Sequence, residues 1–282
     1  MVLGTKRKHK RLNIVVILMA LLTFGLGLIH QEATPVQAKA NKTVTIYLTR
    51  HGETTGNVMN RVQGSSDFPL TKNGLEVAND LGRGLKGITF KRAYSGDLTR
   101  QEVTASRALK YSGNKKVKIS TNKKLREGGY GSFEGDSIET DSPKLAAVYG
   151  YKSGDEFMEE TGADYWTMLQ DAYYKLDQKN SEKTELATED RAENASTVQK
   201  RMDKVLKKIA KTTKKQGGGN VLVVSSGMSI NEYLASLDTD KYTGAPLKNA
   251  SVTRLVYKDG KFKIRGKIGS LHYVNKGAKD TK

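Results

Sequence analysis

From Thr43 onward the hydrophobic positions fall into short blocks whose period switches between two and about 3.6. Thr43–Thr49 (TVTIYLT) alternates β-branched and aromatic residues and predicts a strand. Asn73–Leu85 sets Leu75, Ala78, Leu81 and Leu85 at helical spacing, which predicts a helix in spite of Gly82 and Gly84. A short strand at Arg92–Ser95, a helix over Leu98–Leu109 and a strand at Val117–Ser120 follow. Glu193–Thr213 carries Val198, Met202, Val205, Leu206 and Ile209 on one face, and the continuous apolar run Val221–Val224 suits a buried parallel strand. Another helix is expected over Ser229–Ser236. Val252–Tyr257 and Phe262–Arg265 form a hairpin about Asp259-Gly260, and the polar tail from Asn275 is expected to fray. Strands alternating with helices predict an α/β domain with a mostly parallel central sheet flanked by helices.

The stretch 132–191 differs from the rest. It is acidic and Tyr-rich, and Phe157, Tyr165, Trp166, Leu169, Tyr173 and Leu176 recur at helical spacing. Sixty residues make a marginal core alone, so this stretch reads as a helical insertion in a single domain spanning 41–275, with some of its aromatics facing a pocket. Residues 276–282 read as a polar tail.

The N-terminus has another pattern again. Lys6, Arg7, Lys8, Lys10 and Arg11 precede the apolar run Leu12–Ile29, and Ala38-Lys39-Ala40 supplies small residues about one position. This is the layout of a secretory signal peptide, with cleavage expected after Ala40. A retained anchor is the competing reading, because the 18-residue run comes close to spanning a bilayer. Either way the domain is expected outside the cytoplasm, secreted or at the cell surface. The long basic n-region and the absence of Cys point to a Gram-positive bacterium.

Charge changes the picture less than it first promises. The chain carries 48 Lys+Arg against 30 Asp+Glu, and removal of residues 1–40 leaves 42 against 29, a net +13. That surplus suits retention near an anionic cell-wall polymer. Nucleic acid is disfavoured, since the Lys-rich helix and hairpin lack interleaved aromatics or a known module. A membrane partner follows only if the N-terminal segment is retained. With no Cys there is no disulfide framework, thiol nucleophile or thiolate metal site, and the few His and scattered carboxylates form no metal-ligand spacing.

Three segments at expected strand ends carry chemistry. Thr49-Arg50-His51-Gly52-Glu53-Thr54-Thr55-Gly56-Asn57 puts an Arg beside a His: a guanidinium grips phosphate oxygens, a neutral imidazole attacks phosphorus, and Gly52 would admit an anion close to the backbone. Gln63-Gly64-Ser65-Ser66-Asp67-Phe68-Pro69-Leu70-Thr71 and Gly74 follow. With these in place the sequence resembles the histidine phosphatase superfamily, in its phosphoglycerate mutase-like branch, whose members show RHGxTxxN and then QGxxDxPLTxxG. The resemblance covers essentially the whole chain from about Val44. It implies that His51 is the nucleophile that becomes phosphohistidine, with Arg50 and Asn57 on the phosphoryl oxygens. Ser95–Arg100 resembles the S-x-L-x-R segment, which makes Arg100 a second phosphate clamp. Leu125–Gly135 resembles L-x-E-x-x-x-G-x-x-E-G, which makes Glu127 the general acid. No metal or cofactor is implied.

One element departs from the pattern. Members usually carry a second histidine after the strand that precedes the last helix; here Ser225-Ser226-Gly227 stands there, and Ser226 takes that position. Of the four His only His51 and His272 lie beyond residue 40, and His272 reads as structural. Ser226 and Gly227 could still donate to phosphate, although losing one preorganised donor costs roughly two to three decades in rate. Two functions are therefore expected to compete. One is a secreted phosphomonoester hydrolase of reduced activity, acting on a small phosphorylated substrate through His51. The other is a non-catalytic phosphate- or polyanion-binding surface protein on the same scaffold.

Overall fold

A computed structural model describes residues 42–180, 185–237 and 240–280. The signal-peptide reading of residues 1–40 lies outside the described residues. The strands are β1 (Val44–Arg50), β2 (Phe90–Ser95), β3 (Ile119–Thr121), β4 (Gly219–Ser225), β5 (Val252–Lys258) and β6 (Lys261–Ser270). The helices are α1 (Thr55–Val58), α2 (Lys72–Gly84), α3 (Thr99–Tyr111), α4 (Ile138–Ala147), α5 (Gly154–Thr161), α6 (Tyr165–Lys179), α7 (Ala195–Lys215), α8 (Gly227–Ala235) and α9 (His272–Lys279).

The sheet runs β3-β2-β4-β1-β5-β6. β1 is parallel to β4, β4 to β2 and β2 to β3, while β5 joins β1 antiparallel and β6 pairs antiparallel with β5. The expected α/β class with a mostly parallel sheet is what forms. Side chains alternate across a strand, so both faces of the central pair must be covered. Ile46, Leu48, Val221 and Val223 pack beneath Val198, Met202 and Leu206 of α7. Tyr47, Leu222 and Val224 pack against Leu81 of α2, Leu85 just past its end and Leu109 of α3. Asn194 caps α7 by accepting from Thr197 N at 2.8 Å, and Lys214 and Lys215 sit in its last turn, where the helix dipole favours cations.

The hairpin turns where expected, with Asp259 (φ 51°) and Gly260 (φ 80°) both in the left-handed region that a two-residue turn requires. Through Asp280 the tail does not fray. Residues 272–279 form α9, in which Val274 and Gly277 are buried. The reason is a close helix crossing: a Cβ at Gly277 would lie 1.8 Å from Asp80 O, and one at Gly84 would lie 1.8 Å from Tyr273 O. Gly84 weakens α2 as a helix former, and the docking of α9 accounts for its presence. His272 is exposed at the start of α9 with its ring against Tyr273.

Between Gly135 and Arg191 the chain forms α4, α5 and α6. Phe157 is buried among Tyr149, Tyr151 and Tyr165, and Tyr173 packs on Tyr130 and Phe133. The carboxylate of buried Asp177 accepts from Ser132 N (2.8 Å), Ala192 N (3.0 Å) and Arg191 Nε (2.8 Å), tying α6 to the segments on both sides. Among the described residues no helix is long and apolar enough to cross a membrane.

Candidate active site

The C-terminal ends of β1 and β4 and the start of α8 meet at a cavity of about 330 Å³. Arg50, His51 and Asn57 line it from the first motif, Glu127 from the third, and Gly227 and Met228 from the start of α8. This is where open α/β sheets hold ligands, outside the carboxyl ends of parallel strands.

His51 is buried at the cavity floor, and its Nδ1 lies 2.7 Å from Gly52 O. A carbonyl oxygen only accepts, so the proton of the neutral ring sits on Nδ1 and Nε2 keeps its lone pair. Burial, then Arg100, then Arg50 hold the His51 pKa well below 6.5, overcoming the opposite pull of the Gly52 bond. The imidazole is therefore neutral and nucleophilic at pH 7. Below pH 6.5 the unfolded chain takes up a proton at this position that the folded chain refuses, so stability is lost as pH falls. Between pH 7 and pH 5 the wild-type chain is expected to lose stability relative to His51→Gln by up to about 1.4 kcal/mol per pH unit, measured by urea unfolding at each pH. Glu232, pushed up to about 7 by burial, acts in the opposite sense. Its contribution is complete below pH 4.5 and lost as pH rises through about 7, and it cancels in the comparison because both chains contain it.

The two arginines differ in how their donors are used. Arg50 Nη1 donates to Leu247 O, and its Nε is buried without a partner among the described residues. Arg100 is wholly buried and does not line the cavity. Its Nη2 donates to Gln63 O (2.8 Å) and Gly64 O (2.9 Å), and its Nη1 to Ser66 O (2.9 Å). Only Arg100 Nε is unpartnered. Glu134 holds the same loop from its amide side, accepting from Gly64 N, Ser65 N and Ser66 N at 2.9–3.0 Å. The loop between the two clamps carries Gln63 into the cavity wall.

Asn57 has its Oδ1 occupied by Thr54 N (3.1 Å) and Asn249 Nδ2 (3.2 Å), which turns its amide NH₂ outward from that network as a donor. Asn249 Nδ2 also lies 3.1 Å from His51 O. Glu127 sits at the start of α8, its Oε2 accepting from Met228 N (3.0 Å) and its Oε1 from Ser229 N (2.6 Å). Arg201 of α7 fixes the segment that carries it, donating to Arg126 O (3.0 Å) and Glu127 O (2.7 Å).

Ser226 is fully buried and does not line the cavity; its Oγ accepts from Gln101 Nε2 at 2.8 Å. His272 is also absent from the cavity wall. Gly52 serves packing and not anion approach. A Cβ there would lie 2.6 Å from Gly74 O, and its N–H donates to Thr104 Oγ1 at 2.9 Å. Asn249, Gln101, Glu134 and Arg201 were not singled out from sequence. Only Glu134 had a visible signal, as the second Glu of the third motif. Among the described residues no group of three or more His, Asp or Glu is placed to hold a metal ion.

A neutral imidazole beside the unpartnered Nε–H of Arg50, with the charge of buried Arg100 felt at its ring, is a receptor for an anion that can be attacked. Buried donors left unpaired cost roughly 1–3 kcal/mol each, and a bound anionic oxygen removes that cost. The site is thus of the phosphoryl-transfer type.

Comparison with known proteins names the family. The profile of the histidine phosphatase superfamily (branch 1) matches residues 46–187 and 154–267, and the chain belongs to that superfamily. A crystal structure of phosphoglycerate mutase from Bacillus anthracis superposes with a TM-score of 0.74 at 35% identity, covering 85% of this chain and 99% of that one. A broad-specificity phosphatase of Saccharomyces cerevisiae is 35% identical over 43% of this chain and 53% of its own length. A 2,3-bisphosphoglycerate-dependent phosphoglycerate mutase of Arabidopsis thaliana is 26% identical over 82% of this chain and 70% of its own. The chain thus spans about half the length of the yeast relative.

Proposed function

We propose that this protein is a phosphomonoester phosphatase that works through a phosphohistidine on His51, outside the cytoplasm. The observation that carries the reading is a neutral His51 beside the unpartnered Nε–H of Arg50 in the cavity, with the charge of buried Arg100 acting on its ring. Arg50 and the Asn57 amide take the phosphoryl oxygens, and Arg100 adds its charge without lining the cavity. His51 Nε2 attacks phosphorus, the ester P–O bond breaks, and the leaving alkoxide takes a proton from Glu127. Water then attacks the phosphohistidine, giving its proton to Glu127 and releasing phosphate and free His51. Hydrolysis is preferred to mutase action because water is the simplest acceptor for a site that must otherwise retain its phosphorylated state. The net +13 of residues 41–282 supports association with an anionic cell-wall polymer.

The test is rapid quench after mixing with a phosphomonoester. Acid-labile phosphate mapped to His51 is expected, and its absence together with no turnover above the His51→Ala chain would sink the enzyme reading. A second reading, a phosphate-binding protein without turnover, is favoured by one observation: Ser226 stands where a second imidazole is expected and its Oγ accepts from Gln101.

Ser226→Ala separates structure from chemistry. Loss of the Gln101 bond alone lowers stability by about 1 kcal/mol and leaves kcat within a few-fold. If Ser226 donates to the phosphoryl group, kcat falls by two to three decades. Because Ser226 is fully buried and does not line the cavity, the small kinetic effect is the expected result, read by steady-state kinetics beside a urea melt.

A further inference from the structure

Beside the polar groups already described, the cavity is lined by a block of aromatic and aliphatic side chains interrupted by the amides of Asn60, Gln63 and Asn231 and by Arg61. Tyr165, Trp166, Leu169 and Tyr173 of α6 line it together with Met228 and Leu247. Trp166 Nε1 is already spent on Gly244 O at 2.7 Å, so the indole offers its ring surface to the cavity. Burial keeps the Tyr130 and Tyr173 phenols protonated, with Tyr173 and Tyr130 both raised above 10, so neither contributes charge.

The mouth continues the same character. Among the described residues five large hydrophobic side chains are exposed, and four of them gather here: Val58 (64%), Met59 (52%), Ile138 (45%) and Met158 (39%). Ile138 and Met158 line the cavity, and Val58 and Met59 lie between Asn57 and Asn60, which also line it. Ile138 N donates to Asn60 O at 2.9 Å, which joins the two parts of the rim. Exposed apolar side chains scattered singly need no explanation, whereas a cluster around a cavity does.

Charge is scarce by contrast. The lining cations are Arg50 and Arg61, and no lysine lines the cavity. Arg50 is committed to the floor, and Arg61 is exposed at the mouth, where pairing with a carboxylate in water gains little. A glycerate or a second phosphate would lie against aromatic rings without a buried counter-charge.

We infer that the substrate is a phosphomonoester of an apolar alcohol, aryl or long-chain alkyl, with no second anionic group; the inference rests on the phosphatase reading above. The phosphoryl group occupies the floor, the apolar body packs along α6, and its far end meets the rim.

The experiment compares kcat/KM for 1-naphthyl phosphate and decyl phosphate with that for 3-phosphoglycerate and glucose 6-phosphate, on the full chain with His51→Ala as blank. At least tenfold preference for the apolar pair is expected, and whichever of the two is faster identifies the aryl or the alkyl source. Turnover that is equal across the set, or that favours phosphoglycerate, overturns the inference and leaves the phosphatase reading standing. If nothing is turned over, the phosphatase reading fails, and calorimetry with 1-naphthylmethylphosphonate and decylphosphonate against 3-phosphoglycerate decides the cavity's preference. Tenfold tighter binding of the apolar phosphonates keeps the ligand class, and no difference overturns it. Ile138→Asp and Met158→Asp, both at exposed positions, are expected to cut the apolar preference at least fivefold. An unchanged preference in both variants would also overturn it.

Discussion

Replacing His51 by Ala is expected to lower phosphomonoester turnover by at least about 10³-fold while leaving the fold in place. Loss of a single preorganised donor already costs roughly 10²–10³, and loss of the nucleophile removes the covalent route itself. The fold survives because the ring's one hydrogen bond runs to its own neighbour, Gly52 O, so no distant segment is released. The variant also removes a group whose protonation the folded chain resists, and its stability should hold better in acid than that of the wild-type chain. Steady-state kinetics and a thermal melt on the same preparation check both halves. Turnover within tenfold of wild type would place the nucleophile elsewhere.

The second large effect is structural. Arg100→Ala is expected to cost about 3–5 kcal/mol, a large share of the 5–15 kcal/mol that typically holds a domain. The carbonyls of Gln63, Gly64 and Ser66 would lose their donors in a buried site, and Glu134 would then hold the loop from one side only. Arg100→Lys sharpens the test. It keeps the charge but loses the planar fork that reaches three acceptors, so about half the loss in stability is expected to remain, with kcat reduced as well. Urea unfolding and kinetics of the two variants read this directly. A lysine chain as stable and active as wild type would show that charge alone suffices.

Arg100 also shows where sequence reading stops. Its place in the S-x-L-x-R segment was visible, and so was its cationic character. That most of its donors would go to backbone carbonyls was not, because every residue offers a carbonyl and the partners lie 34–37 positions away. The same holds for Asn249, which reaches His51 O across 198 positions, and for Arg201, which reaches Glu127 O across 74 from a helix that reads only as basic and amphipathic. Strands and helices were legible where one period persisted, as in β1, β4 and α7. The last helix was missed because it is short: Tyr273 and Val274 beside the glycine crossing are too few apolar positions to show a period. Gly52 was misread for a related reason: a glycine in sequence marks a close approach without saying by what.

The position of β1 has a further consequence for how the chain folds. The strand that leads into His51 finds its two neighbours, β4 and β5, only from Gly219 and Val252 onward. Pairings of that sequence separation raise contact order and slow folding, since a long loop must close before the contacts repay it. During synthesis the first three-quarters of the chain thus carries His51 after a strand with both edges open. Such edges template aggregation until they are paired. A fragment ending before Gly219 would hold His51 and most of its motif with no neighbouring strand to seat β1, and the site comes into being only when the last quarter of the chain arrives.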